Sequence, residues 1–134
     1  MNRRPNQRKK ILAIHVDVFR VAVVVTWETN KAWVMNHART HGIAVTEDGF
    51  GQAFSREVED NECLGLCISF GDRNSDVLVW LRERPTKATD YGVLYHELYH
   101  AVDCIAESRH LKCAECRAFT FEYLVNQCNK FFWP

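Results

Sequence analysis

Between residues 88 and 107 apolar side chains recur at three- and four-residue intervals. Leu94, Leu98, Ala101, Val102 and Ile105 fall on one face, and this long amphipathic stripe constrains the fold more than any other feature of the chain. A helix with one apolar face is stable only when that face is covered. The rest of the sequence supplies the cover. Residues 114–131 read as a second helix, joined to the first by residues 108–112, and Pro85 closes off what precedes them. Upstream, residues 64–70 (LGLCISF) and 77–81 (VLVWL) read as strands around a turn rich in Gly, Asp, Asn and Ser. Residues 11–27 also read as extended, with a break near Phe19 and Arg20 that marks a bulge or a pair of short strands. Residues 28–41 read as a helix with Gly42 at C′, and the polar, acidic stretch 46–62 as an exposed loop or lid. The expected fold class is α+β, a small mixed sheet packed on helices.

The chain has 134 residues, 47% hydrophobic and 25% charged, which suits one domain and not two. Residues 1–10 form a basic flexible arm carrying Arg3, Arg4, Arg8, Lys9 and Lys10, and residues 11–134 form the single domain. The total of 17 cations balances 17 acids, and removing those five cations leaves 12 positive against 17 negative charges in the domain. That composition argues against a uniformly basic nucleic-acid binder, so nucleic acid is an unlikely partner outside the arm. His15, Asp17 and Arg20 break the apolar run that follows the arm, so no export signal is expected, and no stretch is long enough for a membrane span. The expected compartment is the cytoplasm. The six cysteines are accordingly read as reduced thiols.

The segment that carries chemistry is His96-Glu97-Leu98-Tyr99-His100, a His-Glu-x-x-His pattern on the long helix. Residues four apart sit one above the other, so the two imidazoles can share one cation, and the adjacent Glu97 can reach a water on that cation without ligating it. Zn2+ prefers such nitrogen ligands and lowers the pKa of a coordinated water to about 7. Opposite the apolar stripe, His96, Glu97, His100, Asp103 and Glu107 gather as a polar, ligand-rich side. A catalytic zinc wants a third protein ligand. The extended pattern with Gly and a third His is absent, because residue 103 is Asp and residue 106 is Ala. Glu115 and Glu122 on the last helix are candidates, and His110 in the connection is a weaker one. Asp103 is a candidate acceptor for the outer ring nitrogen of His96 or His100. Tyr95 and Tyr99 project away from the ligand side.

The segment from His96 to Leu124, HELYHAVDCIAESRHLKCAECRAFTFEYL, resembles the short gluzincin-type metallopeptidase domains of phages and mobile elements. There a His-Glu-x-x-His-Ala-Val helix is followed by Glu-x-x-Ala-aromatic and then Tyr-Leu, which Glu115-Cys116-Arg117-Ala118-Phe119 and Tyr123-Leu124 match. The resemblance implies a zincin-like fold, zinc as cofactor, Glu115 as third ligand and Glu97 as general base. It further implies that strand 77–81 is the edge along which an extended protein or peptide substrate lies, and that a phage-encoded chain acts in the host cytoplasm. Relatives often carry a small residue at the position of Glu122, so Glu122 stands as the alternative ligand.

The expected activity is therefore a zinc-dependent metallopeptidase. The alternative is a non-catalytic zinc-binding module for protein–protein interaction or regulation, against which Glu97 speaks, since a structural site has no use for that carboxylate. A thiolate site built from Cys113 and Cys116 with Cys63 and Cys67 is a further competitor. Cys63 and Cys67 straddle a strand start, though, where four residues span about 13 Å. No His-x-Glu pattern of a zinc deaminase occurs.

Overall fold

At the centre of the sheet β2 (Val21–Thr26) and β4 (Val77–Leu81) run parallel, and every residue of both strands is buried. Continuous burial of this kind belongs to strands covered on both faces. β1 (Ile11–Val16) pairs antiparallel with β2, Ile11 opposite Thr26 and Val16 opposite Val21. β3 (Gly65–Ser69) pairs antiparallel with β4, Gly65 opposite Leu81 and Ser69 opposite Val77, giving the order β1-β2-β4-β3. These features come from a computed structural model that describes residues 10–43, 45–59, 63–69 and 76–133. The fold is α+β with a small mixed sheet, as the sequence indicates; most of the arm, residues 1–9, and the turn at 70–75 lie outside the described residues.

Each face of the sheet has its own core. On one side Val21, Val23, Val25, Val77, Val79 and Leu81 pack against α3 (Ala88–Ser108) and α4 (Ala114–Phe132). On the other, Ala22, Val24, Leu78 and Trp80 meet Val34, Met35 and Ala38 of α1 (Lys31–Thr40). Asn30 caps α1 by accepting from the Trp33 N–H at 3.0 Å. Gly42 takes a φ of +79° just past its end, so the Ile43 N–H can reach back to the Ala38 carbonyl. The break near Phe19 is a 3-10 turn, Asp17–Phe19, closed by Arg20 in the left-handed region, so residues 11–27 are two strands.

Two expectations fail. The stretch expected to be an exposed loop is helical from Glu47 to Glu59, as π-helical turns Glu47–Gly51 and Ser55–Glu59 around the α-helical turn α2 (Gln52–Phe54). Phe50, Phe54 and Val58, spaced four apart, are all buried on the outer face of the sheet, where β2 and β4 need cover that α1 alone does not provide. The strand expected at the edge, β4, is interior, because its unbroken apolar run VLVWL is buried on both faces; the edge beside α3 is β3.

Because Phe54 is fully buried, Phe54→Ala is expected to cost about 3–5 kcal/mol of stability. A urea unfolding curve checks this. A loss under 1 kcal/mol would mean that residues 47–59 behave as a detachable lid.

Candidate metal centre

α3 is the scaffold of the site. The Asp90 carboxylate accepts from the Thr86 N–H at 3.1 Å and the Lys87 N–H at 3.2 Å, and so fixes the start of the helix. These hydrogen bonds hold its pKa below the ordinary carboxylate range. Leu94, Leu98, Ala101, Val102 and Ile105 anchor the buried face, as their spacing indicates.

His96 and His100 are exposed, one turn apart, with their Nε2 atoms 3.1 Å from each other and their rings edge to face at 82°. Two ligand nitrogens about 2.05 Å from a tetrahedral ion would be about 3.3 Å apart, so this pair already has the spacing of two zinc ligands. Without an ion, one ring must donate a proton to the lone pair of the other.

Glu97 does not lie on the exposed stripe. It is only 8% exposed and turns toward β3, because one residue of helix rotates it about 100° from His96 toward the sheet. Burial pushes its carboxyl above the ordinary range, while the neighbouring His100 and His96 offset part of that shift. The contact that seats it is Gly65. A Cβ there would stand 2.8 Å from Val93 Cγ1 and 2.9 Å from Glu97 Cγ, so the helix comes down on β3 where only glycine leaves room.

The remaining candidates lie elsewhere. Asp103 orients neither imidazole; its carboxylate pairs with Arg117 Nη1 of α4 at 2.8 Å. Glu115, in the first turn of α4, and Glu122 are both exposed, because Thr120, Leu124, Cys128 and Phe132 take the buried face of that helix. His110 is exposed, at a φ of 54°. Among the described residues no three His, Cys, Asp or Glu side chains gather round one point: the structure pairs His96 with His100, with Glu97 next in the chain turned toward β3, and brings no third ligand to the pair. Tyr95 donates to Asn129 Oδ1 at 2.7 Å and Tyr99 meets Phe121 edge-on, so both turn toward α4 and away from the histidine pair. The four-thiolate arrangement is not assembled either. The Cys63 thiol donates to the Glu57 carbonyl at 3.2 Å and Cys67 is half-buried against the core on the α3 side of β3, while Cys113 and Cys116 are exposed at the start of α4. The role of Gly65 was beyond sequence reading, since nothing local in the chain sets the register of β3 against α3.

Neither protein-family models, nor curated proteins, nor solved structures give a match to this chain. Among the described residues no helix is long and apolar enough to cross a membrane.

Gly65→Ala is expected to lose about 1–3 kcal/mol by overpacking against Val93 and Glu97. Gly92→Ala, on α3 where a Cβ meets nothing within 4 Å, is expected to gain about 0.5–1 kcal/mol. Denaturant midpoints of the two variants check the pair. A neutral Gly65→Ala would show that α3 is not seated on β3 as described.

Proposed function

We propose that the protein is a zinc-dependent metallopeptidase, with His96 and His100 as two metal ligands and Glu97 as the general base. The observation that carries this reading is the 3.1 Å spacing of the two Nε2 atoms beside a buried carboxylate. The donor set fits zinc in softness and spacing. The third ligand comes from α4, with Glu115 favoured by the family resemblance and Glu122 as the alternative; in either case an exposed side chain has to swing toward the histidines.

When bound, zinc supplies a Lewis acid for the scissile carbonyl and acidifies a coordinated water. Glu97 accepts a proton from the attacking water and returns it to the leaving amine. Its burial against β3 keeps the carboxyl out of competition for the metal. β3, the edge strand next to α3, offers backbone N–H and C=O groups to an extended substrate, the part first assigned to β4. Asp103 acts here by tying α3 to α4 through Arg117.

The purified protein is expected to hold about one zinc per chain, and His96→Ala or His100→Ala to lose it, as read by elemental analysis. Glu97→Gln is expected to keep the zinc and to lower hydrolysis of denatured casein at least about 100-fold. Glu115→Gln should weaken both binding and activity. Zinc that disappears only with Cys113→Ser and Cys116→Ser would refute the site. Casein hydrolysis undiminished in Glu97→Gln would refute the mechanism and leave a zinc-binding module.

A further inference from the structure

We propose that Cys113 and Cys116, in the first turn of α4, are an exchange-active dithiol that closes into a disulfide with a low-molecular-weight disulfide as oxidant. Backbone geometry makes the first case. Cys113 is the N-cap of α4, extended at φ −78° and ψ 123°, and Cys116 is the third residue of the helix. The Arg117 N–H donates to the Cys113 carbonyl at 3.3 Å, which closes one turn around the pair. Thr120 Oγ1 donates to the Cys116 carbonyl at 2.7 Å, and Arg117 ties the same turn to Asp103 of α3. Residues three apart on such a turn have Cα atoms about 5 Å apart, inside the range of about 4.4–6.8 Å that a disulfide spans. An extended N-cap also folds its side chain over the helix end toward the third residue, whose side chain reaches back, as in a capping box. Both of those positions are cysteine here, so rotation about χ1 alone can bring the sulfurs together.

Access makes the second. Both thiols are free and exposed, whereas Cys63, Cys67 and Cys104 are half-buried and Cys128 is buried. Cys116 also lines an open cavity of about 450 Å³ between α4 and residues 15–19, beside Phe119, Thr120 and Tyr123. A reactant as large as oxidised glutathione therefore has room to approach it. In the reaction one protein sulfur gives its proton to solvent and attacks a sulfur of oxidised glutathione; that S–S bond breaks and one glutathione thiolate leaves. The second protein sulfur, its proton also passing to solvent, attacks the protein sulfur of the mixed disulfide and expels the other glutathione thiolate. Two protein thiols are oxidised and one small disulfide is reduced to two thiols. Neither step involves zinc, or Glu115, which lies between the two cysteines.

The full chain is incubated with oxidised glutathione, alkylated after unfolding, digested with trypsin and weighed. Cleavage after Lys112 and Arg117 releases residues 113–117 with both cysteines in one peptide. That peptide is expected unalkylated and lighter than its dithiol form by the two thiol hydrogens. It should form at least about tenfold faster than any modification at the other four cysteines, because thiol reactivity follows exposure. Cys113→Ser and Cys116→Ser, taken singly, are expected to stop at a glutathione adduct on the remaining thiol of the pair. A wild-type chain that stops at the adduct, alkylation of both Cys113 and Cys116, or earlier reaction at another cysteine would overturn the proposal. Protection of the pair that a chelator lifts would overturn it too, since the two thiols would then be metal ligands.

Discussion

The seat of α3 on β3 at Gly65 is the contact on which the rest of the site depends. A Cβ at that position would collide with both Val93 and Glu97, so the glycine sets how near the helix comes to the sheet. From that single approach three consequences follow by helix geometry. Glu97 turns inward against the strand, His96 and His100 are left outside, and Cys104, two turns beyond Glu97, packs against the same core as Cys67. If the helix rode higher, Glu97 would be another solvated carboxylate on a polar stripe.

A second constraint comes from the central strands. VAVVVT and VLVWL bury every side chain, so the sheet cannot be left open on either face. α3 and α4 close one face. The other needs more than the ten residues of α1, and the segment 47–59 fills the gap through Phe50, Phe54 and Val58. The helices and strands were legible in the sequence because their patterns are local: apolar spacing on α3 and α4, a β-branched run in β2, an apolar run in β4 and Gly42 at the end of α1, although α1 starts at Lys31 after its Asn30 cap and not at residue 28. The segment 47–59 was not, because its acids and glycines dominate the composition while only three apolar residues carry the packing. Strand order was also hidden. Burial on both faces marks β4 as interior, but which strand flanks it is decided by a register that no neighbouring residue encodes.

The candidate site divides along the same line. The His96–His100 spacing is a property of one helix, so it could be read directly. The position of Glu115 and Glu122 depends on how α4 is rolled, and the row Thr120, Leu124, Cys128 and Phe132 rolls it so that both glutamates face solvent. Asp103 was offered an imidazole by sequence proximity and an arginine by tertiary structure. Arg117 prevails because a guanidinium pairs with a carboxylate through a charge-assisted hydrogen bond, whereas a neutral imidazole offers only an ordinary one.

Under the proposed reading, Glu97 gains from sharing one helix with the two histidines. Burial raises the pKa of the Glu97 carboxyl, and a protonated carboxyl cannot accept a proton from water. The neighbouring His100 and His96 offset part of that shift. A divalent cation held by the same two imidazoles would act in the same direction. On the proposed reading, loading of the site and ionisation of the base would be linked, since a cation on the imidazoles would favour the carboxylate form that burial disfavours. A carboxylate moved out to solvent would lose both this coupling and its fixed position against Gly65.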